Sequence, residues 1–147
     1  MIVWISEALL LALHERQLAE HGGRIGVRDP AALEAALASP RRLYASAGPP
    51  PDLAALAASL AFGLARGRPF VDGNTRTAHV AYRVFIALND GAFTAGEEDR
   101  FVAMRALAEG RLDEDGFAAW LRSHIALAPG HRVNEPRARY EPPREMP

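Results

Sequence analysis

Cysteine is absent from this 147-residue chain. It therefore holds no disulfide and no cysteine-ligated zinc, and a reducing cytoplasm is its expected compartment. An excess of charge of either sign is absent too: 17 Lys and Arg stand against 18 Asp and Glu, a formal net charge of -1. That balance excludes nucleic-acid binding by bulk electrostatics, so no direct nucleic-acid partner is expected. A long uninterrupted apolar run is also missing. The N-terminal stretch MIVWISEALLLALHERQ is broken by Glu7, His14, Glu15 and Arg16, and it lacks the basic start and small-residue cleavage site of a secretion signal. We read it as a core helix and expect no membrane partner. No internal repeat is present. His14, His21, His124 and His131 are scattered without metal-ligand spacing, and solvated or core roles are expected for them. What remains, 49% hydrophobic and 24% charged, is ordinary usage for one domain with one core.

The punctuation predicts a mostly helical chain. Ser6 is a candidate N-cap for a helix whose apolar positions Leu9, Leu10, Leu13 and Leu18 roughly follow helical spacing, and Gly22-Gly23 ends it. Residues 22–28 read as a loop with a short hairpin or flap. Asp29-Pro30 opens a second helix, which Pro40 is expected to break near Ser39, before the stiff GPPP connector at 48–51. Asp52 caps the alanine-rich run LAALAASLAFGLAR, a central helix that Gly67 stops. A second central helix spans about Asn74 to Asn89 with a buried stripe of Val80, Ala81, Val84, Phe85 and Leu88. Helices over about 97–109 and 114–127 follow. They are expected to bury Phe101, Val102, Met104 and Leu107, then Phe117, Trp120 and Leu121. A domain over 1–128 and a proline-rich, flexible tail over 129–147 complete the division. In that tail Arg132, Arg137, Arg139 and Arg144 alternate with Glu135, Glu141 and Glu145.

The segment that bears chemistry is Arg68-Pro69-Phe70-Val71-Asp72-Gly73-Asn74-Thr75-Arg76-Thr77, a loop leading into a helix. A helix N-terminus offers free N–H groups and a positive dipole end to an anion. Gly73 permits close approach of a bulky phosphate to the backbone. Arg76 supplies a planar fork matched to phosphate oxygens. Asp72 is a hard oxygen ligand suited to Mg²⁺, which is commonly held by one carboxylate, phosphate oxygens and water. These parts describe a Mg²⁺-nucleotide phosphate cradle. The plainer alternative is a turn and N-cap at Asp72-Gly73-Asn74 with Arg76 solvated.

PFVDGNxRTA resembles the core motif of the Fic/Doc family, which reads HPFxDGNKRT in Doc-type toxins and HxFx(D/E)GNGRxxR more widely. The flanking segments GGRIGVRDPAALEAAL, LARG and AEGRLDEDGFAAWL are similar to Doc-type toxins as well, so the resemblance covers about residues 5–125. It implies an all-α, compact Fic-fold helical bundle in which Phe70 anchors the motif loop. Asp72 holds Mg²⁺, Gly73, Asn74, Thr75 and His79 lie along the nucleotide, and Arg76 binds phosphate. Residues 22–28 serve as the edge that aligns a target segment. The implied activity is Mg²⁺-ATP-dependent transfer of phosphate onto a hydroxyl of a bacterial protein such as EF-Tu. Most other Fic proteins transfer AMP instead. A separate antitoxin whose helical segment covers the site is the implied partner.

Three positions depart from the pattern. Arg68 stands where the family carries its catalytic histidine, the base that takes the proton of the attacking hydroxyl. Arginine stays charged in proteins and cannot repeat that role. Arg68 admits three readings: an inactivating substitution, a natural pseudoenzyme, or chemistry with another base. His79, one turn beyond Arg76 and at the second arginine of the wider motif, is the candidate substitute. The competing reading makes it a partly buried helix residue with a single hydrogen bond. Thr75 replaces the lysine of Doc-type and the glycine of AMP-transferring motifs, which leaves the transferred group open. Thr94-Ala95-Gly96-Glu97-Glu98-Asp99 approaches an internal inhibitory motif and fails at its last position. We read it as a helix N-cap with an acidic first turn and expect inhibition by a separate protein.

Overall fold

The computed structural model describes residues 1–127; the tail expected over 129–147 lies outside them. Three expected helix starts carry their caps. Ser6 accepts from the Leu9 N–H at 3.1 Å at the start of α1 (Glu7–His21), and Asp29 accepts from Ala32 at 3.1 Å at the start of α2 (Pro30–Ala45). Asp52 accepts from Ala55 at 2.9 Å and opens α3 (Leu53–Gly67). Each cap satisfies one of the N–H groups that a helix leaves unpaired. Then come α4 (Asn74–Leu88), β1 (Gly91–Phe93), α5 (Glu97–Ala108), α6 (Glu114–Arg122) and β2 (Ile125–Leu127). The architecture is the expected mainly helical bundle.

The alanine-rich α3 lies at the centre because small side chains let neighbours approach. Ala54, Ala57, Ala58, Ala61 and Ala65 are buried along it, with Leu56, Leu60 and Leu64 between them. It packs against α2, α4 and α6. A Cβ at Gly63 would stand 2.9 Å from the Cα and Cβ of Ala36 on α2, so that crossing admits only glycine. Each fully buried leucine contributes ~1.5–3 kcal/mol. Asp52 joins the packing a second time: its carboxylate receives the Arg122 guanidinium and ties the start of α3 to the end of α6. Burial would raise the Asp52 carboxyl, but the hydrogen bonds from Arg122 and the Ala55 N–H outweigh it and hold it below the usual carboxylate range.

Several expected features are corrected. Pro40 does not end α2, which continues to Ala45 with Pro40 inside it and buried. The lost hydrogen bond and ring clash cost about 3 kcal/mol in an isolated helix. Here α2 is held from outside by its α3 contact, the Ser39–Ser59 hydroxyl pair at 2.7 Å, and Tyr44 edge-on to Trp4. The helix expected over 114–127 stops at Arg122. Its last residues form β2, paired antiparallel with β1 through Ala92 and Ala126. On α4 the stripe is rotated: Ala78, Tyr82 and Ile86 are buried with Ala81 and Phe85, whereas Val80 and Val84 are half-buried and Leu88 is exposed. On α5 the packed face is Ala103, Met104 and Leu107, and Phe101 and Val102 remain 60% and 62% exposed. Trp120 is half-buried. The N-cap with an acidic first turn expected over 94–99 is present: Gly96 caps α5, followed by Glu97, Glu98 and Asp99. The Thr94 hydroxyl donates to the His124 carbonyl at 2.9 Å, bracing the start of β2.

Candidate active site

The motif loop is fixed from three sides. From within, the Asn74 amide accepts from the Phe70 N–H at 2.8 Å and donates to the Phe70 carbonyl at 3.0 Å. Both residues are buried, at 4% and 1% exposure. From α1, His14 stacks on the Phe70 ring with centroids 3.7 Å apart and planes 9° apart. Its Nε2–H donates to the Asp72 carbonyl at 2.8 Å. A carbonyl only accepts, so the Nε2 proton is required. From the other side, residues 26–28 run antiparallel to the loop. Val27 bridges to Phe70, the Val71 N–H donates to Gly26 at 3.0 Å, and the Arg28 N–H donates to Pro69 at 2.7 Å. Residues 22–28 thus pair with the motif loop rather than with themselves.

This frame places the chemical groups. Gly73 has φ 79 and ψ 18, a left-handed conformation, and caps α4 without a side chain. A Cβ there would lie 3.3 Å from Leu18 and 3.7 Å from His14, so glycine also fits a tight seat. Beyond it, the backbone N–H groups of Asn74, Thr75 and Arg76 find no described acceptor; the first helical bond is Thr77 N–H to Gly73 at 2.9 Å. Arg76 is exposed in this first turn and its guanidinium makes no described bond. One Asp72 oxygen accepts from the Arg24 N–H at 2.7 Å, with the Arg24 guanidinium 3.8 Å away, and the carboxylate is 43% exposed. Among the described residues no three His, Asp or Glu side chains form a metal cage. One partly exposed carboxylate beside free N–H donors fits a cation shared with phosphate oxygens, the usual habit of Mg²⁺.

Arg68 forms the C-terminal cap of α3 with φ 50 and ψ 57, one of two non-glycine residues at positive φ among those described. Its carbonyl accepts from the Arg28 guanidinium, which also donates to Gly67 at 3.2 Å. Its own side chain is exposed and makes no described bond. His79 does not join the cradle's frame. It stacks on Phe101 at 5.4 Å and meets Tyr82 edge-on, and its Nδ1 is buried without a partner.

Burial, with the Arg83 and Arg100 guanidinium groups nearby, pushes the His79 imidazole down to about 4. It is therefore neutral at physiological pH and a weak base. The unfolded chain binds a proton at His79 below about pH 6.5 that the folded chain refuses until about pH 4. Stability is thus expected to fall as pH drops through that window, and His79→Gln should flatten the fall in urea titrations from pH 7 to 4. An unchanged pH slope in the variant would remove His79 as its source.

Composition and helix punctuation did not single out His14 or Arg28. The signal for His14 was its place at i+4 from Leu10 and i-4 from Leu18, a polar ring on an apolar stripe. Nothing local marked Arg28.

The Fic/DOC family profile matches residues 4–86, a span that contains the motif loop, its α1 brace and the pairing edge. The chain belongs to the Fic/DOC family. It is 37% identical over 110 residues to "Toxin Doc" of Mycolicibacterium smegmatis (strain ATCC 700084 / mc(2)155), a match covering 73% of this chain and 84% of that protein. No helix among the described residues is long and apolar enough to cross a membrane.

Proposed function

We propose that this Fic/DOC protein is the toxin of a toxin–antitoxin pair, acting in the bacterial cytoplasm. It uses Mg²⁺-ATP to place phosphate on a Ser or Thr hydroxyl of a protein such as EF-Tu and so arrests translation. The observation that carries this reading is the left-handed Gly73 between the Asp72 carboxylate and the free N–H groups of Asn74, Thr75 and Arg76. The likeness to a protein named a Doc toxin supports the cellular role.

Asp72 would hold Mg²⁺, and the chemistry that the ion would supply is neutralisation of phosphate charge. The chain's own part is positioning. Asp72 holds the cation, and Arg76 with the helix N-terminus grips phosphate oxygens. His14 and Asn74 keep the loop rigid so that this geometry needs no rearrangement. The edge at 26–28, already paired to the loop, presents a place for a target segment to align beside Phe70. Arg68 cannot accept the hydroxyl proton, so this chain should turn over slowly. That observation favours a second reading, a nucleotide- or partner-binding protein without turnover. Transfer of AMP is the third.

The test is incubation of the purified protein and its Asp72→Ala variant with EF-Tu and ATP labelled at the α or γ phosphate. Slow γ-label transfer that Asp72→Ala abolishes supports phosphate transfer. Label from the α position would make it an AMP transferase. Mg²⁺-dependent ATP binding that survives Asp72→Ala unchanged would remove the metal role of Asp72.

A further inference from the structure

A second cluster of polar groups lies along α4, past the motif loop. Arg76, His79 and Arg83 are spaced i, i+3 and i+7, which puts them on one face of the helix over about 10 Å of rise. Arg83 leans back one turn and donates from Nε to the His79 carbonyl at 2.9 Å. Burial depresses the Arg83 guanidinium, and Arg100, in the first turn of α5, is close enough to add to the effect. Arg100 makes only a long 3.5 Å bond to the Ala95 carbonyl. Both arginines are half-buried, and neither forms an ion pair with a described carboxylate. Three neighbouring buried atoms have no described partner: His79 Nδ1, the hydroxyl of the fully buried Tyr82, and Arg100 Nε.

Two guanidinium groups that repel each other, partly out of water and beside orphaned polar atoms, are a standing cost in the free protein. An oxyanion between them would relieve the repulsion and supply an acceptor to donors that have none. We propose that Arg83 and Arg100 form a second phosphate-binding subsite at the α4–α5 seam, continuing the line of the cradle. The placement beyond Arg76 rests on the nucleotide-cradle reading; the subsite itself does not. Its occupant is either the terminal phosphate of a nucleotide seated in the cradle or a separate inorganic phosphate, and these bind through the same chemistry.

The test uses calorimetric titration of the full chain with inorganic phosphate and with ATP, alongside Arg83→Gln, Arg100→Gln and the cradle variant Arg76→Gln. Phosphate is expected to bind the parent protein at millimolar concentration. Each seam variant should weaken it about tenfold or more, the loss of charge-assisted hydrogen bonds, whereas Arg76→Gln should leave the seam phosphate in place. Without anion, each seam variant should melt at the same temperature as the parent or higher, because one of two like charges is gone. A purely structural arginine would instead lower the melting temperature. If ATP displaces the seam phosphate, the nucleotide's own phosphate is the occupant; if both bind together, it is a separate phosphate. Phosphate that fails to bind the parent, or binds both seam variants equally well, overturns the proposal. If ATP fails to bind any form while phosphate still depends on Arg83 and Arg100, the cradle reading falls and the seam stands.

Discussion

Replacing Arg68 by histidine is expected to raise label transfer by about 10²–10⁴-fold, the usual contribution of a positioned general base. The argument rests on what the substitution leaves alone. The Arg68 backbone sits at φ 50 and ψ 57, a region that costs most non-glycine residues energy but in which histidine is enriched several-fold. The backbone therefore accepts the new residue at least as well as the old. The only described bonds at Arg68 use its backbone, the N–H to Leu64 and the carbonyl to Arg28, and these survive any side-chain change. Its exposed side chain has no described partner to lose, so stability should move by no more than about 0.5 kcal/mol. Matched melting curves with a large gain in transfer would isolate proton removal as what the parent lacks. Growth arrest on expression should appear or strengthen in parallel. Equal rates in the two forms, with ATP still bound, would sink the phosphotransferase reading of this chain and leave the non-catalytic one.

Much of this frame was legible in the sequence, and the part that was not has a common physical origin. Ser6, Asp29 and Asp52 announced their helices because a cap bonds within three residues, a range that a linear reading covers. The motif loop between α3 and α4 was legible for the same reason: Gly73 and Asn74 act locally, although the left-handed residue that ends α3 is Arg68, whereas Gly67, expected to stop it, is its last helical residue. The features that escaped bond across the fold. His14 meets Asp72 at a separation of 58 residues, Arg28 meets Arg68 at 40, and Asn89 clasps Val3 at 86. No spacing rule encodes such pairs. Pro40 escaped by the opposite route. Its local signal to stop was strong, and packing of α2 on α3 overrode it. Asn74 falls between the two cases. Its place in the motif was evident, whereas the structure commits its side chain to Phe70, so what it offers an anion is its backbone N–H.

That commitment makes Asn74→Ala the substitution with the largest expected loss of stability. The amide satisfies both the N–H and the carbonyl of Phe70, and Asn74 and Phe70 are almost wholly buried. The bridge to Val27 does not replace it, because the bonds on that side go to Pro69 and Val71. Alanine would leave one donor and one acceptor unsatisfied in the interior. Each orphaned group costs about 1–3 kcal/mol, so the two together should lower the unfolding free energy by about 2–6 kcal/mol, a large share of a domain's typical 5–15. Urea unfolding at neutral pH measures it directly. Asn74→Asp separates the two halves: it keeps an acceptor for the Phe70 N–H, gives up the donor to the carbonyl, and should fall further than half-way only by the cost of burying its charge. A loss below about 1 kcal/mol for alanine would mean that the loop is held by His14 and the 26–28 edge alone. In that event Phe70 would stay seated and phosphate binding would survive. If the amide is the clasp, stability and ATP affinity should fall together, because the same hydrogen bonds that bury Phe70 set the direction in which Gly73 turns the chain into α4.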